Sequence, residues 1–279
     1  MTGPRCLRMT ETIPVQPEKV PGQEAVLTVV STSVTPVTSV SHDGVRLHGV
    51  HYKSENDLAF VVGHGFTNNV TKPYVARVLA RLAAHGGVVA YDFRGHGRSE
   101  GRSTVGADEI HDIEAAVRTA RELGYSKIAT VGFSMGASIV IRHAALGETS
   151  PDVVVSVSGP ARWWSRETAP MRRVHWLLEQ PHGKLAARAL GVRLGDSWVQ
   201  PPESPLEVVA CITPTPLLIV HGDLDHYFGP EHAESLHRAS SGHAELWIEP
   251  GMRHAESAAT PDLVDRMAAW IAGKVEDEE

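Results

Sequence analysis

The sequence predicts an α/β fold on one mostly parallel sheet, and three observations carry that expectation. From residue 59 onward, short apolar runs alternate with longer segments of helical periodicity, the pattern of repeated strand–helix–strand units. A glycine-flanked serine, Gly132-Phe133-Ser134-Met135-Gly136, stands where one apolar run gives way to a helical one. Two later runs are followed by loops bearing aspartates and a histidine, so the candidate polar groups fall at one edge of the expected sheet.

Taken in order, residues 1–33 are rich in Thr, Val, Pro and Gln without periodicity and read as a loosely attached leader. Arg5 and Arg8 precede a polar, proline-containing run, so no secretory signal is expected. Segments 34–40 and 45–51 flank His42-Asp43-Gly44, an Asp-Gly turn that predicts an antiparallel hairpin. Strands are then expected at 59–62, 88–91, 128–131, 153–157, 217–220 and 244–248, and helices at 74–84, 109–123, 135–146, 230–239 and 261–272. The sum is a twisted sheet of about eight strands flanked by helices.

The regular spacing breaks after the sixth strand. The stretch 160–213 holds four of the six tryptophans, Trp163, Trp164, Trp176 and Trp198, and a connection of that length needs structure of its own. Residues 171–178 and 184–190 have the apolar content of two short helices. They form either a small helical cap whose tryptophans bind substrate or two ordinary helices covering the sheet. The organisation expected is a leader over 1–33, a core over 34–159 and 214–279, and a cap insertion over 160–213.

Composition bounds the partners. At 279 residues, with 42% hydrophobic and 21% charged residues, one α/β core is the default. A net charge of −7 without a basic stripe excludes nucleic acid. Cys6 and Cys211 make no disulfide framework, which fits a cytoplasmic location. The longest apolar runs, 153–157 and 217–220, fall far short of the roughly 20 residues of a membrane span. The edge strand at 244–248 and the outer helices leave surfaces for a dimer, and the oligomeric state stays open.

The chemistry centres on Ser134. A serine on a tight strand-to-helix turn exposes its Oγ, and the flanking glycines relieve crowding. Gly63-His64-Gly65-Phe66 follows an earlier strand, where the Phe66 amide can join the Met135 amide in holding an oxyanion. His64 itself is read as a structural loop residue. A base must come from a late loop, and His254 in Gly251-Met252-Arg253-His254 meets that requirement. Of the two aspartates in His221-Gly222-Asp223-Leu224-Asp225, Asp225 has room to orient His254, while Asp223 braces the loop. Most of the remaining histidines, His175 and His232 among them, are assigned packing or surface roles. The order Ser134, Asp225, His254 differs from the trypsin and subtilisin orders. No His-Glu-x-x-His or paired-cysteine spacing suggests a metal, and this chemistry requires no cofactor.

Together the HGF loop, Asp92-Phe93-Arg94-Gly95-His96-Gly97-Arg98-Ser99, the GFSMG turn, HGDLD and the PGMRH segment resemble the α/β-hydrolase superfamily. Within it, His64-Gly65-Phe66-Thr67 and the inserted segment are similar to capped carboxylesterases of the feruloyl esterase and monoacylglycerol lipase type. The resemblance implies a serine hydrolase acting on a small-molecule ester, and it gives Asp92, Arg94 and His96 a structural role. A serine in place of an aspartate nucleophile disfavours dehalogenase and epoxide hydrolase chemistry. A thioesterase, C–C bond hydrolase, amidase or perhydrolase stays open with the same triad, as does a non-catalytic binding protein on the same fold.

Overall fold

The Asp43-Gly44 turn sets the first element, because Gly44 sits at φ +87°, a conformation that other residues adopt at a cost. It joins β1 (Val34–Val40) and β2 (Arg46–Tyr52) as an antiparallel pair in which Val34 faces Tyr52 and Val40 faces Arg46. The computed structural model describes residues 33–276 apart from Pro181. The leader expected over 1–33, and the reading of the first residues as lacking a secretory signal, therefore lie, Ser33 aside, outside the described residues.

After the hairpin the chain alternates: β3 (Leu58–Gly63), α1 (Pro73–Leu82), β4 (Gly87–Tyr91), α2 (Ile110–Glu122), β5 (Lys127–Phe133), α3 (Met135–Leu146) and β6 (Val153–Val157). An insertion follows with α4 (Ala169–Glu179), α5 (Gly183–Ala189), α6 (Pro205–Val208) and a 3₁₀ turn over Val209–Ile212. The core then resumes with β7 (Leu217–Gly222), α7 (Pro230–Ala239), β8 (Glu245–Glu249), α8 (Ala255–Ala258) and α9 (Pro261–Glu276). The eight strands lie in the order β1-β2-β4-β3-β5-β6-β7-β8, parallel from β4 through β8 and antiparallel at the hairpin. The expected fold class is the observed one.

Burial follows from this order. Strands β3 to β7 have helices on both faces and are apolar nearly throughout. One apolar layer joins the sheet to α1 and α9 through Leu79, Leu82, Met267 and Ile271. The other joins it to α2, α3 and α7 through Ile113, Val117, Ile139 and Leu236. Val208, Val209 and Ile212 belong to that second layer, so the last part of the insertion packs beneath the sheet helices. Among the described residues, 160–165, α4, α5 and the stretch 194–198 roof the strand ends.

The Asp92-to-Ser99 turn is a scaffold. Asp92 accepts the Val70 and Arg98 amides at 2.8 and 2.9 Å. The Arg94 side chain, 3% exposed, lies between Asp43 of the hairpin turn at 2.5 Å and Asp112 of α2 at 2.7 Å. Among the described residues no helix is long and apolar enough to cross a membrane.

Candidate active site

Ser134 ends β5 and begins α3 at φ 53° and ψ −113°, a strained backbone for a residue with a Cβ. Two glycines make the turn possible. A Cβ on Gly132 would lie 2.2 Å from the Gly136 carbonyl oxygen, and one on Gly136 would lie 2.2 Å from that of Gly63. The second contact has a functional consequence: it brings the serine turn directly against the HGF loop after β3. Gly136→Ala is therefore expected to cost about 1–3 kcal/mol through overpacking against backbone and to lower Tm by at least several degrees. Thermal denaturation checks it, and an unchanged Tm would mean that the two loops are not pressed together.

The three residues expected to act together are brought together. His254 Nε2 lies 2.8 Å from Ser134 Oγ, and His254 Nδ1 lies 2.7 Å from Asp225 Oδ2. Asp225 sits in the loop after β7, and its other oxygen accepts the amides of Tyr227 and Phe228 at 2.8 and 3.2 Å. Burial raises the Asp225 pKa, but the hydrogen bond and charge of His254 and the Tyr227 amide outweigh it, holding the carboxyl below its ordinary range. The Tyr227 ring lies against the imidazole, centroids 4.4 Å apart. Asp223 takes the Gly251 amide at 2.7 Å and so braces the loop that carries His254.

Met135 is the first residue of α3, where an amide has no partner within the helix. Phe66 is the second residue of a turn closed by the Asn68 amide on the Gly65 carbonyl at 3.0 Å. Among the described residues neither the Phe66 nor the Met135 amide has an acceptor, and both residues line the cavity that holds Ser134. His64 lies beneath this turn. Its Nε2 accepts the Phe93 amide at 3.0 Å and its Nδ1 donates to the Gly65 carbonyl at 2.8 Å. Burial pushes its pKa down to about 3, so it is neutral. His96 holds the Phe66 carbonyl.

Above Ser134 and His254 lies a cavity of about 250 Å³, roofed by the insertion, just below the roughly 300–1,000 Å³ typical of ligand sites. Trp163, Trp164 and Trp198 line it, together with Met171, Val174 and Leu178 of α4.

Two expectations need correction here. Trp176 does not line the cavity and is 53% exposed. The inward face of α4 is set by residues 171, 174, 175 and 178, and position 176 falls about 100° from its neighbour 175 on a 3.6-residue helix. The same periodicity turns His175 inward. This histidine, assigned above to packing or surface, lines the cavity, 5% exposed, stacked on Trp164 at 5.6 Å and 3.2 Å from Glu179. Glu256, Asn68 and Tyr227 also line the cavity without having been anticipated. His232 does pack, accepting the Ala161 amide at 3.0 Å.

Comparison with known proteins agrees with this geometry at the level of fold and family. The chain resembles the Pyrococcus furiosus esterase Pf2001, with a TM-score of 0.70, 23% identity and coverage of 92% of this chain and 98% of that one. It also resembles Est1E of Butyrivibrio proteoclasticus, with a TM-score of 0.56, 19% identity and coverage of 85% and 98%. In sequence it is 23% identical over 239 residues to the uncharacterized protein YfhR of Escherichia coli O157:H7, spanning 81% of this chain and 75% of that protein. Residues 54–213, more than half of the chain, match the model of the serine aminopeptidase S33 hydrolases, and the chain belongs to that family of α/β hydrolases.

Proposed function

We propose that this hydrolase cleaves a carboxylic ester of a small to medium, partly apolar substrate through an acyl-enzyme on Ser134. One observation carries the reading: the continuous hydrogen-bonded chain from Ser134 Oγ through His254 to Asp225, at the floor of a tryptophan-lined cavity.

Ser134 Oγ attacks the acyl carbonyl carbon as its proton passes to His254 Nε2. The carbonyl π electrons move to oxygen, and that oxyanion is held by the Phe66 and Met135 amides. When the carbonyl re-forms, the C–O bond to the alcohol breaks and His254 gives its proton to the leaving oxygen. Water then enters, loses a proton to His254 and attacks the acyl-enzyme. The carboxylic acid departs as Ser134 recovers its proton. Asp225, ionised throughout, fixes the imidazole with Nδ1–H towards itself and steadies the imidazolium formed in each half. No step calls on a cofactor.

The lining supports an apolar or aromatic acyl arm. The test is a series of p-nitrophenyl esters of increasing acyl length, with an aromatic acid ester, a thioester and an amide beside them. A maximum at short to medium acyl length is expected from a cavity this small. Better cleavage of the amide than of the matched ester would replace the esterase reading with the peptidase activity in the family's name. Absence of both turnover and fluorophosphonate labelling would point to a binding protein on this fold.

A further inference from the structure

Glu256 is a buried carboxyl at the cavity that the mechanism above leaves unused. It stands in the first turn of α8, two residues after His254, 3% exposed and lining the cavity. No lysine or arginine pairs with it among the described residues. A buried carboxyl without a countercharge costs more than an apolar residue of the same shape, so packing does not account for it. Its hydrogen bonds do.

Glu256 Oε1 accepts two donors, the Gly65 amide at 2.7 Å and the Asn68 Nδ2 at 3.1 Å. Gly65 and Asn68 are the first and fourth residues of the turn closed by the Asn68 amide on the Gly65 carbonyl at 3.0 Å. Phe66, the proposed oxyanion donor, is the second. One carboxyl oxygen thus grips both ends of the turn whose corner carries the donor. The far side of the Asn68 amide is fixed in turn, its Oδ1 accepting the Tyr74 hydroxyl of α1 at 2.6 Å. Burial raises the pKa of Glu256, against the hydrogen bonds from the Gly65 amide and Asn68, which lower it.

From this juxtaposition we infer that Glu256 is a positioning residue: it aims the Phe66 amide at the developing oxyanion and ties that aim to the loop carrying His254. The inference rests on the esterase reading for its chemistry, and base and oxyanion donor then share one anchor. A small rotation of the turn would displace the amide without touching Ser134, His254 or Asp225. Loss of a whole oxyanion donor costs about 10²–10³ in kcat, so loss of its aim should cost somewhat less.

The test compares Glu256→Ala, Glu256→Gln and Tyr74→Phe with the parent in two assays: kcat and KM on the best p-nitrophenyl ester, and the second-order rate of Ser134 phosphonylation by a fluorophosphonate. Phosphonylation also builds negative charge on an oxygen facing the amides. Glu256→Ala should lower kcat and the labelling rate together by about 10- to 100-fold with KM within about threefold, the pattern of a misaimed transition-state contact. Glu256→Gln keeps an oxygen acceptor for the Gly65 amide and should recover to within about fivefold of the parent. Tyr74→Phe, which removes one hydroxyl and is the variant to read if Glu256→Ala does not fold, should show a drop of about two- to fivefold in both rates.

The inference is overturned by unchanged rates in Glu256→Ala, by a raised KM at constant kcat, by no rescue in Glu256→Gln, or by a Tyr74→Phe variant indistinguishable from the parent. The two readings fail separately. A parent that labels at Ser134 yet hydrolyses no ester defeats the esterase reading and leaves the labelling comparison intact. Ester turnover with equal labelling of parent and variants defeats the role of Glu256 alone.

Discussion

Ser134→Ala is expected to lower ester turnover by about 10⁶-fold, to the residue of catalysis left by binding and oxyanion donors alone. The variant loses both the nucleophile and the hydrogen-bond partner of His254 Nε2. It does not lose the fold. Alanine, like serine, carries a Cβ and must accept the same φ of 53°, so the backbone strain is unchanged, and the amide at 134 keeps its 2.9 Å bond to the Val157 carbonyl. Circular dichroism and Tm should match the parent to within a few degrees while fluorophosphonate labelling disappears. Retained turnover in Ser134→Ala would eliminate the acyl-enzyme mechanism.

Asp225→Asn carries the next largest expected effect, a fall of about 10⁴ in kcat. Asparagine can present its amide N–H to His254 Nδ1, which moves the ring proton to Nε2 and turns a donor towards Ser134, so the imidazole no longer accepts the serine proton. Steady-state kinetics on the best ester checks this, and a loss below tenfold would remove Asp225 from the role. The same substitution reads out in stability. A carboxyl held below its ordinary pKa favours the folded state above the unfolded-state value, and that contribution disappears as pH falls through the lower, folded value. The parent should therefore lose this part of its stability only below about pH 4, and Asp225→Asn should flatten that portion of the curve in acid denaturation followed by circular dichroism.

What could be read in the sequence follows from how local the signal is. The bounds of α3 and α7 coincide with expectation because each start is written in a few residues, the strained serine turn before Met135 and Pro230 at the first helical position. Strand β7 runs to Gly222 rather than stopping at Val220, since His221 and Gly222 pair with Ile248 and Glu249 through the backbone, which hydrophobicity does not report. The last helix continues past 272 to Glu276 because Val275 extends the buried row of Met267, Ala268 and Ile271, although Gly273 reads locally as a stop. Helix α6 escaped notice, yet Ser204-Pro205-Leu206-Glu207 forms a capping box that marks a helix start.

The candidate site divides along the same line. Ser134, Asp225 and His254 each sit on a loop directly after a strand of a parallel sheet, so chain order alone sends them to one edge. The cavity walls obey no such rule. Trp176 and His175 are adjacent in sequence and face opposite environments, and only the 171, 174, 175, 178 row could have separated them. Glu256 lies 188 residues from Asn68, a meeting that no local pattern encodes.

The insertion is fastened unevenly. Residues 193 and 195 form backbone hydrogen bonds with Gly95 and Ser103, each at 2.8 Å, and the Trp198 indole donates to the Thr104 carbonyl at 2.6 Å. Ahead of α4, Thr168 Oγ1 donates to the Tyr227 carbonyl at 2.8 Å. Between these moorings, α4 and α5 form a cassette whose ends are defined and whose inward row is short. Exchanging residues at 171, 174, 175 and 178 is therefore expected to redraw the substrate profile while Ser134, Asp225 and His254 stay on loops of the sheet, a change of selectivity that leaves the chemistry in place.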